Sequence, residues 1–189
     1  MLEVEAKYRL PDSAPVEARL RAWGATKHEE RADADHYLNA PDRDFARTDE
    51  ALRLRRTGKA NFLTYKGPRT DTTTKTRPEL ELPCPPGDES AEAFLQLFGL
   101  LGYRAVAVVK KRRTVYELHR DGFLLHFCLD DVVGVGRFIE LEIVAEPANY
   151  EAARDLLFRT AADLGLGPGE TRSYLEMLLG HTVPPGGER

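Results

Sequence analysis

Met1-Leu2-Glu3-Val4-Glu5-Ala6-Lys7-Tyr8-Arg9 alternates without a break: Glu3, Glu5, Lys7 and Arg9 share one parity and mostly apolar residues occupy the other. Successive side chains of a strand point to opposite faces, so this stretch reads as a strand with one charged face. Glu3 and Glu5 would stand about 7 Å apart there, and they repel unless a cation or a base lies between them. In a single strand such a face is ordinarily just solvated. Repetition in other strands is what would give it a use.

The pattern does repeat. Arg53 and Arg55 share a parity in Ala51-Leu52-Arg53-Leu54-Arg55, as do Arg77, Glu79 and Glu81 in Arg77-Pro78-Glu79-Leu80-Glu81-Leu82, and Glu140 and Glu142 in Phe138-Ile139-Glu140-Leu141-Glu142-Ile143. The opposite parity is almost purely aliphatic. Lys66 ends the run from Asn61, Lys111 and Arg113 lie in a basic run, and Asp130 closes the run from Leu124. With Lys75 these give nine bases (Lys7, Arg9, Arg53, Arg55, Lys66, Lys75, Arg77, Lys111, Arg113) against seven acids (Glu3, Glu5, Glu79, Glu81, Asp130, Glu140, Glu142). That excess is local, because the whole chain carries a formal charge of −4. A chain of this balance has no general attraction to nucleic acid or anionic membrane. Converged, however, the faces would suit a compact polyanion with a divalent cation. Bases neutralise phosphate oxygens, and paired glutamates offer the hard oxygen ligands that Mg²⁺ or Mn²⁺ prefers.

The 189 residues suffice for one well-buried domain, expected over 1–180, with a disordered tail over 181–189. No apolar segment behind basic residues opens the chain and no run approaches 18 apolar residues, so a cytoplasmic protein is expected, without membrane or nucleic-acid partner. Cys84 and Cys128 lack any paired spacing and read as free thiols without chemistry. His36 and His126 read as satisfied core or wall residues rather than metal ligands. Gly134-x-Gly136 lacks the third glycine of a dinucleotide loop, and no phosphate-cradling glycine loop is present, so a bound phosphate chain must be held by side chains.

Eight strands are predicted at roughly 1–10, 34–39, 50–57, 61–67, 75–83, 105–119, 123–130 and 136–145. Asp121-Gly122 gives the strongest hairpin signal, and Gly58-Lys59 a weaker one. Helices are predicted near 13–23, 89–101, 147–165 and 169–180. Helices inserted mainly after the first, fifth and last strands give no βαβ alternation, which leaves an α+β fold. Either an open sheet or a closed barrel satisfies the alternation. So many charges on one face favour closure, that is, a closed eight-stranded antiparallel β-barrel with flanking helices. Pro78 interrupts its strand and marks an edge or bulge. The run Lys110 to Arg113 admits two registers, a slip of one residue reversing every side chain.

Taken in order, Glu3-x-Glu5-x-Lys7, Ala51-to-Arg55, Tyr65-Lys66-Gly67-Pro68, Arg77-x-Glu79-x-Glu81, Lys111-x-Arg113-x-x-Tyr116, Asp130 with Gly136-x-Phe138-x-Glu140-x-Glu142, and Ser173-Tyr174 resemble the CYTH superfamily of triphosphate tunnel metalloenzymes. The likeness runs from Glu3 to about Leu179, and the nearest subgroup is the class IV (CyaB-type) adenylate cyclases. The resemblance implies an eight-stranded tunnel that takes a triphosphate lengthwise with Mg²⁺ or Mn²⁺. It matches Glu3, Glu5, Glu140 and Glu142 to metal carboxylates, with Glu79, Glu81 and Asp130 as acidic tunnel positions that bind metal or orient bases. Lys7, Arg53, Arg55, Lys66, Arg77, Lys111 and Arg113 match phosphate-contacting bases, of which Lys66 and Arg113, with Asp130, carry the catalytic expectation. Family spacing sets Lys111 and Arg113 inward. The implied enzyme is cyclase-like, converting ATP to cyclic AMP and pyrophosphate, as a monomer or homodimer. Hydrolysis of tripolyphosphate, thiamine triphosphate or a nucleoside triphosphate is the alternative, and a non-catalytic nucleotide-binding module the third reading.

Overall fold

The computed structural model describes residues 2–69 and 77–180. Eight strands form one sheet: β1 (Leu2–Arg9), β2 (Thr26–Asn39), β3 (Ala51–Thr57), β4 (Ala60–Lys66), β5 (Glu79–Cys84), β6 (Arg104–Arg120), β7 (Phe123–Val132) and β8 (Gly136–Ala145). Their order is β1-β8-β7-β6-β2-β3-β4-β5, and each neighbouring pair is antiparallel. Five helices accompany them: α1 (Ala14–Ala22), α2 (Phe45–Thr48), α3 (Asp88–Leu100), α4 (Tyr150–Asp163) and α5 (Tyr174–Leu179). The α+β class is as the alternation predicts. Closure is different: among the described residues no ladder joins β1 to β5, so the sheet is curled rather than a hydrogen-bonded ring. Its two edges still approach, since Glu3 of β1 feels the charges of Lys66 on β4 and Glu79 on β5.

Local chemistry explains the turns. Asp121 and Gly122 both take positive φ, 50° and 82°, the geometry of the tight turn that joins β6 to β7. The apolar parity of β1, β7 and β8 buries Val4, Ala6, Leu125, Phe127, Leu141 and Ile143 beneath α1 and α4, which contribute Val16, Leu20, Leu156 and Leu157. Each large side chain removed from water there stabilises the fold by about 1.5–3 kcal/mol. A second cluster packs Leu38, Phe45 and Leu52 against Leu95 and Phe98 of α3. A third lies on the charged side of the sheet, where Val109, Val132 and Phe138 receive Tyr174 and its α5 neighbours. The concave face is therefore apolar at one mouth and charged over the rest.

Four boundaries depart from expectation. Strand β2 begins at Thr26 instead of 34, because Lys27 to Arg31 lack an apolar parity yet pair with β6 across one bulge. Strand β5 begins at Glu79 instead of 75: Pro78 cannot donate, and its carbonyl accepts the Gly67 N–H at 2.9 Å. Arg77 thus precedes the strand, while Lys75 lies outside the described residues, as does the tail 181–189. The helix expected over 169–180 forms only from Tyr174, where Ser173 and Glu176 make a reciprocal capping box. Ahead of α4, Pro147–Asn149 forms a 3₁₀ turn.

Candidate functional site

Register brings the charged parities of all eight strands onto one face. Glu5 lies opposite Glu142 and Lys7 opposite Glu140 between β1 and β8. Glu140 then faces Cys128 on β7, Asp130 faces Arg113 on β6, and Lys111 faces Asp33 on β2. Asp35 faces Arg55, Arg53 faces Thr64, and beyond them Thr64 and Lys66 face Glu81 and Glu79. Lys111 and Arg113 are buried while Lys110 and Arg112 are exposed, which resolves the two registers of that run.

Two carboxylates organise the bases. Asp130 accepts Arg113 Nε at 2.7 Å and Nη2 at 2.6 Å, Lys111 Nζ at 3.4 Å and the Tyr174 hydroxyl at 2.8 Å. Arg113 also reaches Glu140, and Glu142 at 3.5 Å. Asp35 receives Arg55 bidentately, at 2.7 and 2.8 Å, and Arg53 Nη1 at 3.2 Å. Burial alone would raise the Asp35 carboxyl, but Arg53 and Arg55 outweigh it and hold it far below the usual range. Arg53 Nε is left buried without a partner among the described residues. Lys66 pairs with Glu79 at 2.5 Å, and Thr64 donates to Glu81 at 2.9 Å, both on the exposed edge strand.

The opposite electrostatic condition holds at the glutamates of β1 and β8. Burial first, then Glu142 and Glu5, push Glu3 up to about 8, against the pull of Lys66. Glu142 is raised by burial and by Glu140 and Glu5, although Arg113 opposes them. Carboxylates that repel one another this strongly in a buried site offer the hard oxygen donors a small divalent cation takes, and a cation would relieve the repulsion.

The structure brings Glu3, Glu5, Lys7, Arg53, Arg55, Lys66, Glu79, Glu81, Lys111, Arg113, Asp130, Glu140 and Glu142 onto this face; Arg77 sits beside it, ahead of β5, close enough for its charge to act on Glu79. Sequence reading missed Asp33 and Asp35, although Arg31-x-Asp33-x-Asp35 carries the same alternation. Cys128 also lies on this face, beside Glu140, and burial holds its thiol neutral by raising it well above the ordinary value. With Glu29, Arg31, Asp33, Asp35 and Glu117 included and Lys75 and Arg77 set aside, the strand faces carry eight bases (Lys7, Arg9, Arg31, Arg53, Arg55, Lys66, Lys111, Arg113). Eleven acids oppose them (Glu3, Glu5, Glu29, Asp33, Asp35, Glu79, Glu81, Glu117, Asp130, Glu140, Glu142), so over the described strand residues the net positive face expected from sequence is corrected to one richer in acids.

A curled antiparallel sheet whose concave face interleaves bases with paired carboxylates defines a class of anion-handling β-fold. The chain belongs to the CYTH domain family, which residues 1–174 match. It is 38% identical over 142 residues to a Methanocaldococcus jannaschii protein provisionally named an adenylate cyclase, covering 75% of this chain and 77% of that one. Adenylate cyclase CyaB of Aeromonas hydrophila is 29% identical over 178 residues, 91% and 86% of the two chains. Among solved structures, the PH1819 protein of Pyrococcus horikoshii superposes with a TM-score of 0.81 at 36% identity, covering 94% of this chain and 98% of that one.

Proposed function

We propose that the protein is a divalent-metal-dependent phosphoryl-transfer enzyme that takes a triphosphate along the concave face, with ATP cyclisation as the reaction. The observation that carries the reading is Arg53 Nε, a buried donor with no partner among the described residues, set beside Arg55 and across from Thr64. A phosphate oxygen is the acceptor this arrangement lacks. In this reading the curl wraps fully around its ligand, the triphosphate bridging the gap between β1 and β5 as a tunnel.

Lys7, Arg53, Arg55, Lys66, Lys111 and Arg113 hold the phosphate chain, with Arg77 at its entrance. Glu3, Glu5, Glu140 and Glu142 are the residues to hold Mg²⁺ or Mn²⁺, and Glu79 and Glu81 flank Lys66 and Thr64. Their mutual repulsion fits a cation. Bound there, it supplies Lewis acidity toward a phosphoryl oxygen and lowers the pKa of the attacking hydroxyl. Asp130 already accepts four hydrogen bonds and serves to aim Arg113 and Lys111 rather than to take a proton. In cyclisation the ribose 3′-oxygen forms a bond to the α-phosphorus, the bridge to the β-phosphate breaks, and pyrophosphate leaves. Arg113 and Lys66 stabilise the charge that develops on the transferring and leaving groups.

Both the CyaB name of a relative spanning most of the chain and the run Lys66-Gly67-Pro68 through Tyr174 favour the cyclase. A triphosphatase would use the same bases, with water attacking the terminal phosphorus. Purified protein with ATP and Mg²⁺ or Mn²⁺ is expected to release cyclic AMP and pyrophosphate in equal amounts. ADP and orthophosphate without cyclic AMP would replace the cyclase reading by the triphosphatase. Metal-dependent binding without turnover would leave a non-catalytic module.

A further inference from the structure

At one mouth the edges of the curled sheet are joined by a strap of chain rather than by a ladder. Residues 169–173 run beside β1: Gly169 bridges Tyr8, and the Glu170 N–H donates to the Lys7 carbonyl at 2.7 Å. The Lys7 ammonium in turn donates to the Arg172 carbonyl. On the other side Arg69, just past β4, donates from Nη1 to the Thr171 carbonyl at 3.1 Å and pairs with Glu176 at 3.6 Å. Arg69 is itself anchored, because Asp49 accepts its backbone N–H at 2.9 Å and its Nη2 at 2.7 Å. Bracing Asp49 would not require the contacts to Thr171 and Glu176; those tie the β4 side of the gap to the β1 side.

Directly after the strap comes Tyr174. Its ring lies 4.1 Å from Lys7 Nζ and 5.4 Å from Lys111 Nζ, and its hydroxyl meets Asp130. A lysine ammonium on a four-carbon stem wanders unless something holds it. Here the ring and a strap carbonyl hold Lys7, and the same ring, with Asp130, holds Lys111.

We infer that Arg69 is a positioning residue for the triphosphate site: by latching residues 169–173 across the open edges it seats Tyr174, and Tyr174 sets Lys7 and Lys111. The inference rests on the triphosphate reading above. Among the described residues no hydrogen bond or ion pair joins Arg69 to Lys111 or to Lys7, so the route from Arg69 to them runs through the strap.

Arg69→Met, and Arg69→Lys as the milder variant in case Arg69→Met fails to fold, would be compared with the wild type by amide hydrogen exchange and by calorimetric titration with Mg²⁺-tripolyphosphate. The Glu170 amide is expected to exchange at least tenfold faster in Arg69→Met while amides of the β7–β8 ladder keep their rates, and tripolyphosphate affinity to fall about tenfold. In a Lys7→Met background the further loss on replacing Arg69 is expected to shrink below twofold, since the two residues act along one path. Arg69→Lys keeps a charge for Asp49 but cannot span both anchors, and is expected to follow Arg69→Met. Unchanged exchange at Glu170 overturns the latch. Faster exchange with unchanged affinity, or losses that simply add with Lys7→Met, overturns the positioning role. A wild-type protein that ignores Mg²⁺-tripolyphosphate defeats the triphosphate reading and the positioning role with it, whereas the exchange result still decides the latch.

Discussion

Arg53 is satisfied on one side and starved on the other: Nη1 meets Asp35 at 3.2 Å, while Nε is buried without a partner among the described residues. An unmet buried donor costs about 1–3 kcal/mol, which a phosphate oxygen, in the proposed reading, would recover. Asp35 holds both Arg53 and Arg55, so Asp35→Ala strands two buried guanidinium groups. Breaking such a pairing costs about 3 kcal/mol, worth roughly 6–12 °C in a chain of this size. Differential scanning fluorimetry should record that fall, with a larger rescue by tripolyphosphate than the wild type receives. Glu3 behaves in the opposite sense. Burial and neighbouring carboxylates raise it from 4.5 to about 8 when folded, so the folded state keeps a proton that the unfolded chain has released. Metal-free stability from this group is therefore full below about pH 4.5 and is lost as pH rises toward 8. In Glu3→Gln that decline should be shallower, and saturating Mg²⁺ should shrink it in the wild type. A thermal midpoint whose pH slope is identical in wild type and Glu3→Gln would contradict this account.

At the scale of elements, legibility followed the contrast between parities. Strands β1, β3 and β8 set charge against aliphatic residues, so their faces could be read from sequence. Strand β2 does not: Lys27 to Arg31 are polar on both parities, and only pairing with the long β6 makes them a strand, which is why Asp33 and Asp35 were overlooked. The strap at 169–173 escaped for a different reason, since its course is set by β1 and Arg69, contacts far away in sequence. Asp121-Gly122 is the contrary example, a turn fixed by two local residues. Gly122 sits at φ 82° with nothing within 4 Å of an added Cβ, so Gly122→Ala meets backbone strain and no clash. That strain is about 1 kcal/mol, and a thermal midpoint lower by roughly 2–4 °C is expected, with metal and tripolyphosphate binding unchanged because the turn lies at the far tip of β6 and β7.

For the whole molecule, the consequence lies in the charge balance of the concave face. The excess of bases anticipated from sequence dissolves once Glu29, Asp33, Asp35 and Glu117 take their places, and on the described strands eight bases now confront eleven acids. The curl, which gathers residues from all eight strands, is what turns scattered alternation into one site. A polyanion entering a face without surplus bases gains little net Coulomb energy on its own; the bases are already engaged by Asp35, Asp130 and Glu140. A divalent cation among the glutamates of β1 and β8 would change the balance by two charges and free the bases for phosphate. Tripolyphosphate alone is therefore expected to shift the thermal midpoint only slightly, and Mg²⁺ alone to shift it modestly. Together, at about 100 times the dissociation constant, they should add roughly 2.7 kcal/mol, or about 5–11 °C, a rise larger than the sum of the separate shifts. Chelation of the metal should return the midpoint to that of tripolyphosphate alone. Equal stabilisation by tripolyphosphate with and without metal would mean that the bases suffice unaided, and that the paired glutamates have no part in binding.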